Sequence, residues 1–291
     1  MVINPAAGGV GPGALVQAEA ILREADIDAE VEAAPPEAVQ AALQAAVAAA
    51  PDLLIVLAGD GTARAAASLC GPGGPLMAPL PGGTMNMLPH ALYGTVGWQA
   101  ALRLALAEGL ETPVSGGEVD GRRFYVAAIL GSPALWAQAR EAARAHKLQL
   151  AWRKARNAWR RAFSSRLSVS LDGGEPRKVE ALTLLCPLVS RALAENDTAL
   201  EAALLQPAGA VEALRIGARA LLSDIIGDWR NDPAVETLRC RRGQASASSR
   251  IWAILDGEPM HLHKVIDIHF EAVAFRALAP PPERRVHGAR L

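Results

Sequence analysis

The chain has 291 residues, 51% of them hydrophobic and 20% charged, and 29 basic side chains stand against 30 acidic ones for a net charge of −1. At about 150 residues per domain, the length allows two domains, each with a core of its own. The near-neutral balance argues against dedicated nucleic-acid binding through a domain-wide excess of Lys and Arg, and no apolar run reaches the roughly 18–20 residues of a membrane span.

The chain opens Met1-Val2-Ile3-Asn4-Pro5, with neither a basic n-region nor an apolar h-region, so no secretory signal is expected and a reducing cytoplasm is the expected compartment. Val2 and Ile3 leave little room before Asn4-Pro5, which implies a short first strand or a true start upstream of Met1. From Gly13 to Ala25, Leu15, Ala18, Ile21, Leu22 and Ala25 recur at helical spacing. A short strand near Ala29 to Ala33 follows, then a helix that starts at Pro35-Pro36, runs alanine-rich to Ala49 and is stopped by Pro51. Asp52 to Leu57 is a continuous apolar run ending in Ala58-Gly59-Asp60-Gly61-Thr62, as expected of a doubly covered parallel strand that delivers a glycine turn to a helix. A second run, Pro75 to Leu80, ends in Pro81-Gly82-Gly83-Thr84-Met85-Asn86 and repeats the pattern. Strands alternating with helices over the first ~110 residues predict βαβ units and a parallel sheet.

From about Pro113 the texture changes. β-like runs are joined by Asp120-Gly121, Asp172-Gly173 and Asp256-Gly257, and Asp-Gly between such runs signals a type I′ hairpin, whose two central residues need positive φ. This half is expected to be mainly antiparallel, with helical insertions near Ala134 to Phe163 and Val211 to Ser223. The expected division is therefore an α/β domain with a parallel sheet over 1–112, a mainly β domain over 113–279, and an extended tail over 280–291. A cleft is expected between the two domains.

The chemistry concentrates in the glycine turns, because ligands of open α/β sheets bind at the carboxyl ends of the strands. Gly59 and Gly61 let the backbone approach a phosphate, and Thr62 begins a helix whose free N–H groups favour an anion. Gly82, Gly83 and Thr84 repeat the arrangement. Asp60 is different in kind: a carboxylate beside a phosphate repels it unless it holds Mg2+, directly or through water, or orients a hydroxyl.

Asn4-Pro5-Ala6-Ala7-Gly8-Gly9, Ala58-Gly59-Asp60-Gly61-Thr62 and Pro81-Gly82-Gly83-Thr84-Met85-Asn86, in this order and spacing, resemble the catalytic domain of the diacylglycerol kinase and sphingosine kinase superfamily, on its bacterial lipid kinase branch. Leu255-Asp256-Gly257-Glu258 resembles its C-terminal Asp-Gly-Glu motif, and Phe124 to Gly131 falls where the family has a strand leading into the second domain. Gly-Asp-Gly alone is shared with NAD kinases and phosphofructokinases. The resemblance implies a two-domain enzyme that transfers the γ-phosphate of ATP to a lipid hydroxyl. By position, Asn4, Gly59, Asp60, Gly61, Thr62, Gly82, Gly83, Thr84 and Asn86 would bind the nucleotide, and Asp60 its Mg2+. Asp256 would be the base for the lipid hydroxyl, with Glu258 beside it; read without the resemblance, Asp256-Gly257 is an ordinary hairpin turn. The chain departs from the family in having Ala58 for a glycine and Met87 for an acid, which removes a charge and an acceptor.

Lys147 to Arg166 carries seven basic residues and no acid, with Leu148, Trp152, Ala155, Trp159 and Phe163 at helical spacing. Such a segment suits transient contact with an anionic membrane, at the inner face, or else packs its tryptophans into the second domain. His261, His263 and His269 would share one face of an extended strand, and no nearby Cys or second acid completes a metal site. Ser132 lies in no Gly-x-Ser-x-Gly elbow, which sets a serine hydrolase aside. The expected activity is ATP- and Mg2+-dependent phosphorylation of a diacylglycerol-like lipid. The alternatives are a kinase of a soluble acceptor such as NAD and a weakened nucleotide- or lipid-binding protein of the same fold.

Overall fold

A computed structural model of the chain describes residues 1–131, 166–190, 192–205 and 235–285. It divides into two units, Met1–Gly116 with the segment from Glu271 onward, and Gly117–Phe270. The two expected helical insertions, Ser132 and residues 147–165 of the basic stretch lie outside the described residues.

The first unit alternates strand and helix in chain order: β1 (Val2–Ile3), α1 (Ala14–Glu24), β2 (Glu32–Ala33), α2 (Val39–Ala48), β3 (Leu53–Ala58), α3 (Asp60–Cys70), β4 (Leu76–Pro81), α4 (Met87–Tyr93) and α5 (Trp98–Glu108). Its strands lie in the order β2-β1-β3-β4, all parallel, with Val2 beside Val56 and Leu53–Ala58 in full register with Leu76–Pro81. α1 packs with α5 and α2 with α3, so helices cover both faces, as right-handed crossovers require. That is why β3 has no polar face: Leu54, Ile55, Val56 and Leu57 are all at most 3% exposed. β4 tolerates two prolines for a reason visible in its ladder. Leu76 and Gly82 donate their N–H groups to Asp52 O and Ala58 O, so the even-numbered residues face β3. Met77, Pro79 and Pro81 face the other edge, and pairing there is at Met77, opposite Ala277. The prolines lack a donor only where the ladder has ended.

The second unit is mainly antiparallel. The chain enters it within β5 (Leu110–Val119) and continues through β6 (Arg122–Phe124), β7 (Ala127–Gly131), β8 (Leu167–Leu171), β9 (Arg177–Val179), β10 (Ala181–Leu185), β11 (Leu200–Leu205), β12 (Val235–Cys240), β13 (Arg242–Ser246), β14 (Ile251–Leu255) and β15 (Glu258–Leu262), and leaves within β16 (Val265–Ala279). One sheet has the order β12-β11-β10-β7-β14-β15, and the first residues of β16 pair with β13, which pairs with β8 and β8 with β9. Side chains from both sets, among them Phe124, Leu130, Leu182, Ile251 and Ile268, share one buried apolar cluster.

All three Asp-Gly turns have positive φ at both positions, 54° and 71° at Asp120-Gly121, 48° and 79° at Asp172-Gly173, 46° and 85° at Asp256-Gly257; the first and third are two-residue hairpins, whereas Asp172-Gly173 sits in a longer connection between β8 and β9, whose nearest paired residues are Val169 and Arg177. In each, the aspartate also reaches across to a neighbouring segment. Asp120 accepts the backbone N–H of His263 at 3.0 Å and pairs with its ring, and Asp172 accepts the N–H groups of Arg241 and Arg242.

Three expectations change. The last strand does not end in the second unit, and the boundary falls at Gly116 rather than at 112. β16 is 15 residues long, and its second half runs parallel to β4 in the first unit, where Ala277 lies beside Met77. Residues 280–285 are not a free tail: Pro282–Arg284 form a 3-10 turn, Arg284 pairs with Glu108, and Arg285 is 8% exposed and donates to Pro280 O. Burial and ion pairing hold a segment that composition alone marks as extended. His261, His263 and His269 do not share a strand, because the chain breaks between β15 and β16 at His263, which Asp120 binds.

No helix among the described residues is long and apolar enough to cross a membrane. The three cysteines are buried, which pushes the Cys70 thiol up to about 11 and the Cys240 thiol up to about 12, the latter with help from the Asp172 charge, and raises Cys186 as well. Because the thiolate is the reactive form, the native protein at pH 8 should give no reaction with a thiol reagent at these positions and react at all three once unfolded in denaturant. Reaction of one thiol in the native protein, followed by absorbance, would contradict its burial.

Candidate nucleotide site

The loops that leave β1, β3 and β4 meet. Asn4 N–H donates to Leu57 O at 2.9 Å, Gly9 N–H to Gly82 O at 2.8 Å and Gly82 N–H to Ala58 O at 3.0 Å. The approach is so close that side chains are excluded. A Cβ on Gly83 would stand 2.8 Å from Gly59 Cα, one on Gly82 2.9 Å from Ala58 N, and one on Gly9 3.1 Å from Gly83 O. The two glycine corners named from sequence are therefore neighbours, and the Asn4–Gly9 loop is the third member of the group. Gly8, Gly9 and Thr84 are exposed and Gly59, Gly61, Thr62 and Gly83 half-buried, so the corners open to solvent. The strand order reverses between β1 and β3, and ligands of doubly wound sheets bind at that switch point.

Local sequence explains each loop. Asn4 Oδ1 accepts Ala6 N–H at 3.1 Å, a turn that Pro5 favours by its fixed φ. Gly59 precedes α3 with φ −81° and ψ 173° and gives no side-chain cap, so the first helical N–H groups, those of Gly61 and Thr62 included, face outward with the positive end of the helix. Asn86 holds φ 52°, a left-handed conformation that asparagine tolerates. Its amide closes the second turn from both sides, accepting Gly83 N–H at 2.6 Å and donating to Gly83 O at 3.1 Å.

Beside these turns lies a cavity of about 390 Å³ whose wall includes Gly9, Gln17, Gly83, Asn86, His90 and Gln99 and no acidic side chain. Gln17 and Gln99 join across it, Nε2 of Gln99 donating to Oε1 of Gln17 at 3.0 Å. Burial lowers the pKa of His90 below the usual imidazole value, against the pull of the Asp60 charge. The sequence reading missed His90, Gln17 and Gln99, since a lone His or Gln on an apolar helix carries no signal until α1, α4 and α5 are placed around one space.

Asp60 stands in the first turn of α3 and accepts the N–H groups of Asn86 at 2.8 Å and Met87 at 2.6 Å. Burial raises its pKa, and those two bonds oppose the shift. Each carboxylate oxygen thus accepts one backbone N–H, and among the described residues there is no group of three or more His, Cys, Asp and Glu that could hold a metal ion.

In the second unit, Asp256 is 3% exposed. Its Oδ2 accepts Tyr125 N–H at 2.8 Å and its Oδ1 accepts Val126 and Ala127 N–H at 2.9 and 3.0 Å, while its own N–H donates to Ala127 O. It holds the link between β6 and β7, part of the Phe124–Gly131 segment. Glu258, at the start of β15, is exposed.

The family model for the diacylglycerol kinase catalytic domain matches residues 1–119. A crystal structure of a diacylglycerol kinase from Bacillus anthracis str. Sterne is similar with a TM-score of 0.67 at 16% identity, over 96% of each chain. An NAD kinase from Archaeoglobus fulgidus in complex with ATP is similar with a TM-score of 0.52 at 11% identity, over 98% of this chain and 94% of that one. Yeast NADH kinase complexed with NADH has the same TM-score at 10% identity, over 98% of this chain and 84% of that one. No curated protein sequence matches the chain. Residues 1–119, which hold all three glycine-rich loops, are therefore the part of the chain that matches the catalytic domain of the diacylglycerol kinase-like superfamily that those loops resemble.

Proposed function

We propose that the protein is an ATP-dependent kinase whose acceptor is a lipid alcohol of the diacylglycerol class. The observation that carries the nucleotide half is the meeting of three glycine-rich loops at the carboxyl ends of β1, β3 and β4, with the α3 N-terminus open beside them. Phosphoryl transfer is mostly a matter of positioning and charge stabilisation; Gly9, Gly59, Gly82 and Gly83 leave room for close approach, and the N–H groups at the α3 N-terminus, those of Gly61 and Thr62, offer both to a polyphosphate. Asn4 shapes its loop and Thr84 lies exposed on the second turn. The match to the diacylglycerol kinase domain supports the lipid acceptor. The proton of the acceptor hydroxyl is assigned to Glu258, because the Asp256 carboxylate already accepts three backbone N–H bonds.

Similarity to NAD kinases supports a second reading, with a soluble dinucleotide as acceptor. One assay separates the two. Radiolabelled ATP is offered with micelles of diacylglycerol, of other lipid alcohols and, in a parallel reaction, with NAD. Label in a lipid phosphate is the expected result. Label in the dinucleotide alone selects the soluble acceptor, and ATP binding without transfer to any acceptor selects a nucleotide-binding protein without kinase activity. Contact with an anionic membrane through the basic segment of residues 147–166 is part of the lipid reading; retention of vesicle binding after Arg153, Arg160 and Arg161 are changed to Glu would remove it.

A further inference from the structure

A carboxylate between two phosphate-facing glycines is expected to hold a metal ion, yet the Asp60 oxygens are turned into the protein. Oδ2 accepts the N–H of Asn86 and Oδ1 that of Met87, the residue before α4 and the first residue within it. The first residue of one helix thus caps another helix that begins 27 positions later. A carboxylate suits this task because it is an acceptor at both oxygens, makes short charge-assisted bonds to N–H groups and is favoured at a helix N-terminus.

Asn86 carries the connection onward. Its main chain is held by Asp60, and its side chain binds both polar backbone groups of Gly83. Gly83 is the residue that lies against Gly59, so the chain of contacts Asp60–Asn86–Gly83–Gly59 closes a ring between the two glycine turns. With the second turn free to move, it would lose its fixed place against the N–H groups at the α3 N-terminus, and preorganised donors are what such a site contributes.

We propose that Asp60 is a positioning residue for the nucleotide: with Asn86 it locks the second glycine turn against the first, and it acts on ATP through that turn rather than through a metal ion. The inference rests on the nucleotide reading of the turns. It also accounts for Met87. Residue 87 meets Asp60 through its main-chain N–H, which every residue except proline supplies, so a methionine there leaves the lock intact.

The test is ATP binding by calorimetry to the wild type and to Asp60→Asn, in excess Mg2+ and again in EDTA, with amide exchange read at Asn86 and Met87. Asparagine keeps one acceptor and turns an NH2 donor against the other N–H. The expected result is a loss of affinity of about tenfold, by the same factor with and without Mg2+, together with faster exchange at both amides. Asn86→Ala leaves the carboxylate in place and should give the same metal-independent loss, which keeps the test open should Asp60→Asn fail to fold. A loss confined to the Mg2+ arm overturns the proposal, and so does unchanged affinity in a variant whose melting temperature alone has fallen. If the wild type binds no ATP in either buffer, the nucleotide reading fails; amide exchange unchanged by Asp60→Asn would then refute the lock as well.

Discussion

Gly83→Ala should abolish measurable phosphoryl transfer, with a loss of about 10²-fold or more, while Gly8→Ala leaves the fold undisturbed. The added methyl on Gly83 would stand 2.8 Å from Gly59 Cα and 3.2 Å from Asn86 Oδ1. The first neighbour is backbone and has no rotamer to yield, so one turn must move away from the other. Forcing a methyl group into such a contact costs about 1–3 kcal/mol, and a displacement of about 1 Å in a site that works by positioning costs on the order of 10²-fold in rate. A Cβ on Gly8 meets nothing within 4 Å, so its effect on stability should stay within about 0.5 kcal/mol. Thermal melts and ATP titration of the two variants check the contrast. Full activity in a folded Gly83→Ala protein would mean that the contact between the turns has no bearing on the nucleotide.

Two carboxylates lie two residues apart in the Asp256-Gly257-Glu258 turn, and their substitution should give opposite signatures. Asp256→Asn sets an NH2 donor against one of the buried N–H groups of Tyr125, Val126 or Ala127, and an unsatisfied buried donor costs about 1–3 kcal/mol. Melting temperature and activity should fall together. Glu258→Gln alters an exposed side chain, so stability should hold within about 0.5 kcal/mol, whereas turnover falls by about 10²- to 10⁴-fold if this group takes the acceptor's proton. Circular dichroism melts beside initial rates decide. An Asp256→Asn protein with an unchanged melt and no turnover, next to an active Glu258→Gln protein, would return the proton-accepting role to Asp256.

The site was legible where short-range rules act. Glycine admits close backbone approach whatever surrounds it, so the turns at Gly59–Gly61 and Gly82–Gly83 could be named before any contact was known, and their adjacency follows from two strands that sit side by side. Asp256 was legible only by resemblance. Spacing cannot tell it from Asp120 or Asp172, which hold the same positive-φ Asp-Gly turn, and burial against the β6–β7 link is what sets it apart. The target of Asp60 was hidden for a similar reason, since its partners lie 26 and 27 residues along the chain.

By itself the sequence determined the parallel character of the first unit, through apolar runs with no polar face, and the three hairpins, through a dipeptide whose two residues accept positive φ. These are properties of a few consecutive residues, and local sterics and hydropathy suffice for them. Only the tertiary structure decided that β16 returns to the first unit beside β4, that the segment after it packs rather than trails, and that the Asp60 carboxylate faces a helix end. Each of those depends on which distant segment supplies the opposite half of a hydrogen bond or an apolar contact, and that choice is made by the packing of the whole chain.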